Sequence, residues 1–224
     1  MDTICLDCTK YDTSDQLARL FAVISQAPYL AILHVISQIY SRRQIHDVAT
    51  LDGMLICAAV AKVLKTLLRH SRPTNLCERL GNCHEYGMPS SHTQLMAFAF
   101  VTYMLLVTRA PASTLAAGRV QRGFHLVQGA VLGLLTAGVA YSRIYLGYHS
   151  LSQVIAGAAV GSALALAWFW IVKAWLAEAV FPAVLQWRAA KMLCFKDVWR
   201  ENPDEMLYKE REWYHLRTAR KKSG

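Results

Sequence analysis

Five long apolar stretches constrain the fold of this sequence more than any other feature. They are separated by short polar segments, and they occupy residues 20–40, 48–64, 93–107, 124–141 and 151–176. Stretches of about this length are typical of helices that cross a lipid bilayer. Hydrophobic residues make up 54 % of the 224 residues and the mean hydropathy is +0.24, values above those of most soluble domains. Five such stretches in one short chain disfavour a soluble protein with buried core helices.

The stretches predict an all-α fold, a polytopic transmembrane helical bundle of four or five spans within residues 20–180. The 48–64 stretch contains Asp52 and Lys62, and it is the weakest of the five because charged side chains are unfavourable in a bilayer. A fifth span therefore depends on this stretch.

Two of the stretches contain small residues suited to close helix packing in a membrane. The 124–141 stretch is rich in Gly and Ala, and the 151–176 stretch contains Gly157 and Gly161 in a G-x-x-x-G pattern. Small residues at this spacing let the backbones of two membrane helices approach each other. We expect these positions to lie at helix–helix contacts.

The basic residues predict how the chain is oriented in the membrane. The net charge is +9, but the basic residues fall between apolar stretches and in the C-terminal tail, so we predict no nucleic-acid partner. Positive charge in short loops marks the cytosolic side, which places there the loops 41–47 and 108–123 and a basic tail, 181–224. On the opposite, non-cytosolic side lie the segment 1–19, the loop 66–92 and the turn 142–150. The 66–92 loop is an exception to this charge rule, because it contains Arg69, Arg72 and Arg79. Their positive charges therefore indicate a role other than setting the orientation.

The cysteines do not predict a metal site. Cys5 and Cys8 form one C-x-x-C pair, but no second pair at ligand spacing accompanies it, so we interpret the pair as incidental. The 1–19 segment is acidic and lacks an apolar core, so it does not resemble a signal peptide. We predict no cofactor.

Three short blocks on the predicted non-cytosolic side combine cations, hydroxyls and histidines. They are K-T-L-L-R-H-S-R-P, from Lys65 to Pro73; P-S-S-H, from Pro89 to His92; and S-R-I-Y-L-G-Y-H, from Ser142 to His149. Each block has an ordinary structural interpretation, as interfacial cations, helix-capping serines or a hydrogen-bonded histidine. Together, three cations and two hydroxyls next to a helix N-terminus form a site suited to a phosphate group.

The two histidines add catalytic chemistry to such a site. A neutral imidazole can attack phosphorus, and a charged one can protonate the leaving oxygen. No cluster of carboxylates suited to magnesium accompanies the blocks, so the cations would stabilise the phosphate charge without a metal.

The order and spacing of the three blocks resemble the signature of the type 2 phosphatidic acid phosphatase superfamily, whose helical bundle is also of the vanadium haloperoxidase kind. The matching residues are Lys65-x6-Arg72-Pro73, Pro89-Ser90-x-His92 and Ser142-Arg143-x5-His149. The resemblance implies that His149 is the nucleophile, forming a phosphohistidine, and that His92 is the general acid. It implies a phosphoryl group held by Lys65, Arg72, Ser90, Arg143 and the backbone N–H of Ser91.

Two positions depart from the common pattern of that superfamily. Ser91 stands where many members have Gly, and Gln153 stands four residues after His149, where Asp is usual. A carboxylate orients the histidine and stabilises its charged form, whereas an amide orients it with less charge stabilisation. Gln153 is also a feature of the dolichyldiphosphatase branch, which Y-G-M-P-S-S-H-T-Q and Y-S-R-I-Y-L-G-Y-H-S-L-S-Q-V most resemble.

The resemblance to this branch implies an integral membrane enzyme of the endoplasmic reticulum whose site faces the lumen. It implies hydrolysis of a polyisoprenyl diphosphate, dolichyl diphosphate, to dolichyl phosphate, which recycles the carrier lipid of protein N-glycosylation. Lys221 and Lys222 resemble a dilysine signal read by the COPI retrieval machinery, or are simply a basic chain end. Two alternatives stay open: a phosphatase of a sphingoid or diacyl lipid phosphate, and a catalytically silent lipid-phosphate-binding protein, which Gln153 suggests.

Overall fold

The computed structural model describes residues 2–4, 9–73, 78, 85–109 and 119–197. The elements in these ranges are, in chain order, β1 (Asp2–Ile4), β2 (Thr9–Tyr11), α1 (Gln16–Ile24), α2 (Ala27–Arg42), α3 (Ile45–Leu68), α4 (Ser91–Arg109), α5 (Arg119–Tyr145), α6 (Leu151–Ile171), a π-helix (Val172–Val180), α7 (Phe181–Leu185) and α8 (Arg188–Met192). The Cys5–Cys8 pair, residues 110–118 of the predicted cytosolic loop and the Lys221–Lys222 pair lie outside the described residues.

The helices confirm the predicted class of fold. In the described part of the chain, four helical stretches are long and apolar enough to cross a membrane: Gln16–Arg42, Ser91–Thr108, Gly123–Tyr145 and Leu151–Leu185. The protein is therefore a helical, multi-pass membrane protein. A small antiparallel hairpin of β1 and β2, which the apolar pattern does not predict, precedes the helices.

Helix α3 corresponds to the weakest of the predicted spans. It carries two Asp and two Lys side chains and is not among the four apolar stretches. It nevertheless extends along the whole bundle: Lys65 contacts Ser91 at the start of α4, and Ala49 accepts a hydrogen bond from Trp168 Nε1 near the end of α6 (2.8 Å). A helix of 24 residues is about 36 Å long, so α3 has the length of a span.

The first predicted span, 20–40, is broken into α1 and α2. The break falls at Ser25 and Gln26, just before Pro28 in the first turn of α2. Proline has no backbone N–H, and its ring would clash with the carbonyl four residues earlier, that of Ile24. Helix α1 ends at that residue, and the chain restarts with proline in a position that suits it.

Close packing of α4 against α6 determines where the N-termini of these two helices lie. A Cβ on Gly157 would lie 2.6 Å from the carbonyl oxygen of Ser90, and one on Gly161 would overlap the carbonyl of Gln94. The G-x-x-x-G pattern therefore lies at a helix–helix contact, as predicted. This contact brings the P-S-S-H block against the start of α6.

The other end of the bundle is closed by the first residues of the predicted tail. The N–H of Ile45, at the start of α3, donates to the carbonyl of Lys196 (3.0 Å). Next to it, His46 Nε2 lies 3.1 Å from Asp197 Oδ1 in a buried pair, and the His46 ring packs edge-on against Phe181. Residues 181–197 are thus folded against the bundle, at the end opposite the three blocks.

Candidate active site

The structure brings the three blocks together at one end of the bundle. Lys65, at the end of α3, donates from Nζ to Ser91 Oγ at 3.3 Å, which joins the first block to the second. The backbone N–H of Ser90 donates to the carbonyl of Gln153 (3.1 Å), which joins the second block to the residues that follow the third. Segments far apart in sequence therefore form one site.

The N-terminus of α4 supplies backbone donors to this site. The carbonyl of Ser90 accepts from the N–H of Gln94 (2.9 Å), so Ser90 is the capping residue and the helix begins at Ser91. This is two residues earlier than the predicted 93–107 stretch. Thr93 Oγ1 donates to Ser90 Oγ (3.2 Å). The first N–H groups of a helix lack intrahelical acceptors, so this end attracts anions.

Arg72 is buried beside the turn that carries His149. It is 7 % exposed, its Nη1 donates to the carbonyl of Tyr148 at 3.4 Å, and its Nη2 pairs with the exposed carboxylate of Glu85. Its guanidinium also lies 5.7 Å from the centre of the Tyr148 ring. Arg72 joins the first block directly to the third.

Arg143 is the most deeply buried cation of the site, with 3 % of its surface exposed. Its Nη1 donates to Ser25 Oγ (2.6 Å), and its guanidinium lies 4.0 Å from the centre of the Tyr148 ring, a cation–π distance. Tyr148 therefore contacts both arginines. Two buried positive charges held this way attract an anion strongly, because little water screens them.

A tight turn after α5 positions His149. The helix ends at Tyr145, and Gly147 has φ 74°, a left-handed conformation that glycine adopts without strain. The backbone N–H of His149 then donates to the carbonyl of Arg143 (3.0 Å), which folds the turn back on the helix. His149 is 2 % exposed.

The side-chain amide of Gln153 determines which nitrogen of His149 carries the proton. Oε1 of Gln153 accepts from the N–H of Ser150 (3.2 Å), and its Nε2 donates to the carbonyl of Ser71 (2.7 Å). Because an N–H can only donate and a carbonyl can only accept, these partners fix the orientation of the amide. Oε1 also lies 3.1 Å from His149 Nδ1, so Nδ1 must be the donor. The lone pair of the neutral imidazole is then on Nε2.

The position of Gln153 follows from the local sequence. Ser150 and Gln153 form a capping box at the start of α6, in which each side chain accepts a hydrogen bond from the backbone N–H of the other. Gln153 is fully buried, and its backbone carbonyl and side chain contact two different blocks. One residue thus caps a helix and orients the histidine.

The surroundings of His149 keep its imidazole neutral. Burial away from water has the largest effect, and the positive charges of Arg143, Arg72 and Lys65 act in the same direction, so that the pKa of His149 lies well below its usual range. The hydrogen bond to Gln153 acts in the opposite direction and is the smallest effect. At neutral pH the ring is therefore uncharged and keeps a lone pair on Nε2.

His92 lies in the first turn of α4 and is 8 % exposed. Its ring packs edge-on against Tyr29 of α2, with 5.8 Å between the ring centres. Helix α2 therefore supports the side chain that the sequence assigns as general acid.

Three basic side chains bring positive charge to this site. Within the described ranges, no three His, Cys, Asp or Glu side chains are arranged to hold a metal ion. Lys65, Arg72 and Arg143 lie close enough to His149 for their positive charges to act on its ring.

Sequence reasoning missed four residues that shape the site. Tyr148 contacts both arginines, Ser25 binds Arg143, Glu85 pairs with Arg72, and a Cβ on Gly87 would lie 2.5 Å from the Gln153 amide nitrogen. Tyr148 and Gly87 are inside the quoted motifs and could have been noted as their neighbours. Ser25 offered no signal, because its partner is 118 residues away.

A helical membrane bundle with buried cations, a helix N-terminus and a neutral histidine at one end has the architecture of an integral membrane phosphatase. The chain belongs to the PAP2 superfamily, whose family model matches residues 48–177. It is 31 % identical to "Lipid phosphate phosphatase gamma" of Arabidopsis thaliana over 99 % of this chain and 93 % of that protein. It is also 31 % identical to "Dolichyldiphosphatase 1" of Mus musculus, over 87 % of this chain and 81 % of that protein.

A solved structure supports the fold. The transmembrane PAP2 type phosphatidylglycerolphosphate phosphatase of Bacillus subtilis aligns with a TM-score of 0.56 over 71 % of this chain and 78 % of that protein. Its sequence identity is 19 %, so the likeness concerns the fold.

Proposed function

We propose that this protein is a dolichyldiphosphatase, which hydrolyses dolichyl diphosphate to dolichyl phosphate and inorganic phosphate. The observation that carries the proposal is the neutral His149, whose Nδ1 donates to Gln153 and whose Nε2 holds the lone pair among three cations. The similarity to curated dolichyldiphosphatases supports the choice of substrate.

In the proposed reaction, His149 Nε2 attacks the terminal phosphorus and forms an N–P bond. The bond from phosphorus to the bridging oxygen breaks, and His92 donates a proton to the dolichyl phosphate that leaves. A water molecule then attacks the phosphohistidine, gives up a proton to His92, and releases inorganic phosphate with neutral His149. Two displacements at the same phosphorus thus regenerate the enzyme.

The cations and the start of α4 hold the transferred phosphoryl group. Lys65, Arg72 and Arg143, with Ser90 and the N–H of Ser91, would bind its non-bridging oxygens, whose negative charge persists through the transition state. Because these groups carry the charge, the proposed reaction requires no metal.

Gln153 would orient His149 in place of the usual carboxylate. Its neutral amide gives less stabilisation to the imidazolium that forms, but it fixes the required tautomer. The fixed tautomer favours an active enzyme over a catalytically silent binding protein.

A second candidate is a phosphatase of another lipid phosphate. The similarity to "Lipid phosphate phosphatase gamma" favours it, because the identity equals that to the mouse "Dolichyldiphosphatase 1" and the alignment covers more of this chain. Both candidates use the same phosphoryl site and differ in the lipid that enters it.

We further propose that the protein lies in the endoplasmic reticulum with the site in the lumen, where it recycles the carrier lipid of N-glycosylation. The predicted luminal position of the three blocks supports this, and Lys221–Lys222 would bind the COPI machinery. A glycosylation acceptor inserted near Asn82 should be modified, and one near Ser113 should not. The opposite pattern would contradict the orientation.

The substrate is tested with purified protein in detergent by comparing phosphate release from dolichyl diphosphate, dolichyl phosphate, sphingosine 1-phosphate and phosphatidate at matched concentrations. We expect the highest kcat/KM for dolichyl diphosphate. A higher value for the sphingoid or diacyl lipid would establish the second candidate. No release from any lipid, by protein that still binds inorganic phosphate, would favour the silent binding protein.

A further inference from the structure

The residues between Thr9 and Gln26 precede the part of the chain that the PAP2 family model matches, yet they reach the phosphate site. The backbone N–H of Lys10, in β2, donates to the hydroxyl of Tyr148 at 2.7 Å. The buried ring of Tyr11 packs in the same apolar cluster as Leu146 and Tyr148. The hairpin is thus docked on the turn that carries His149.

The break between α1 and α2 provides a second contact with the site. Ser25, at the break, is fully buried, and its Oγ accepts a hydrogen bond from Arg143 Nη1 at 2.6 Å. The next residue, Gln26, donates from Nε2 to the buried hydroxyl of Thr9 (3.0 Å). Strand β2, the break and Arg143 are therefore linked through buried polar contacts.

Tyr148 connects these two contacts. Its hydroxyl is held by β2, and its ring lies against the guanidinium of Arg143. Arg143 is therefore held on one side by Ser25 and on another by Tyr148. Both supports depend on residues that precede the family region.

An arginine side chain has several rotatable bonds, and fixing them costs conformational entropy. If Arg143 is already held in one position, phosphate binding does not have to bear this entropy cost. Preorganised charge also stabilises the transition state more than charge that must first be oriented. We propose that Ser25 and Tyr148 are positioning residues for Arg143, so that residues 9–26, which precede the 48–177 region, help to preorganise the phosphate site. The inference rests on the proposed function only in taking the site as phosphate-binding.

Three variants test this inference. Ser25→Ala removes the acceptor of Arg143, and Tyr148→Phe removes the hydroxyl bound by Lys10 while keeping the ring. Ser41→Ala is the matched control. Ser41 is an exposed serine at the far end of α2, and its hydroxyl donates a hydrogen bond to the carbonyl of Gln38. Each full-length protein is checked for a monodisperse elution profile in detergent.

The readouts are the inhibition constant of inorganic phosphate and kcat/KM for the lipid that the parent hydrolyses best. For Ser25→Ala we expect both to worsen by about tenfold to a hundredfold, the range for losing a hydrogen bond to a charged group. Tyr148→Phe should have a smaller effect in the same direction, and Ser41→Ala should match the parent. Unchanged phosphate inhibition in Ser25→Ala would overturn the inference.

A double-mutant cycle separates positioning from a general structural role. If Ser25 acts through Arg143, adding Ser25→Ala to Arg143→Ala should change phosphate affinity by less than about twofold. An equal loss in both backgrounds would mean that Ser25 merely supports the fold. Phosphate affinity is also measurable as protection against thermal unfolding, so the inference can be tested even if dolichyl diphosphate proves not to be the substrate.

Discussion

Gly87→Ala should lower the activity of the protein by displacing the side chain of Gln153, which orients His149. An ideal Cβ at position 87 would lie 2.5 Å from Gln153 Nε2 and 2.6 Å from its Oε1. Gly87 does not have a positive φ, so its backbone accepts alanine without strain. The atoms in the way are the end of a side chain, and the simplest response of the protein is to displace the amide.

The size of the effect follows from the distances. Carbon and nitrogen atoms in contact lie about 3.5 Å apart, so the amide must move by about 1 Å. The bond from His149 Nδ1 to Oε1, now 3.1 Å, would then exceed the hydrogen-bond range. Loss of such an orienting bond lowers activity about tenfold to a hundredfold, which corresponds to about 1.4–2.7 kcal/mol in the activation barrier.

The assay is phosphate release at saturating and limiting lipid. We expect kcat to fall with little change in KM, because the orienting contact matters most when charge develops on the ring. Gly123→Ala is the matched control, since a Cβ there meets nothing within 4 Å. In a Gln153→Ala background, Gly87→Ala should have almost no further effect. A full additional loss in that background, or normal kcat in the single variant, would refute the reasoning.

Further expectations concern the same site. Gln153→Ala should lower kcat about tenfold to a hundredfold with little change in KM, whereas Gln153→Asp should keep clear activity; parent-like kcat in Gln153→Ala would remove Gln153 from any orienting role. The lowered pKa of His149 keeps its ring neutral in a pH range where an ordinary histidine becomes charged. We therefore expect kcat/KM not to fall between about pH 7.5 and pH 6.5. A fall in that interval that persists when each of the other histidines is replaced would contradict this. The enzyme should work in excess EDTA, and inactivation by EDTA that magnesium reverses would show that the cations are insufficient.

The sequence predicted the parts of the site that depend on local chemistry. Lys65 and Arg72, the P-S-S-H block, and Arg143 with His149 supply the cations and hydroxyls of the predicted anion site, and their spacings resemble the superfamily signature. The G-x-x-x-G contact between α4 and α6 could also be predicted from the sequence. The helical class followed from the apolar stretches, which need only length and composition.

Contacts across the fold could not be predicted in this way. Ser25 becomes part of the site only because Pro28 breaks the first span and α1 packs beside the end of α5. The roles of Tyr148 and Gly87 depend on distances of a few ångströms between segments far apart in sequence. Such contacts are set by packing, which one-dimensional patterns do not contain.

The central claim is that His149 is the nucleophile, and trapping the phosphoenzyme tests it most directly. Dolichyl diphosphate labelled at the terminal phosphate is mixed with excess enzyme, the reaction is stopped with alkali, and the modified peptide is identified. Phosphohistidine survives alkali and is lost in acid, which distinguishes it from phosphoserine. His125→Ala is the control, because this histidine lies near the start of α5, away from the site.

We predict an alkali-stable, acid-labile label on His149 in the parent and in His125→Ala, and neither label nor turnover in His149→Ala. A label on another residue, or turnover in His149→Ala within about tenfold of the parent, would contradict the account.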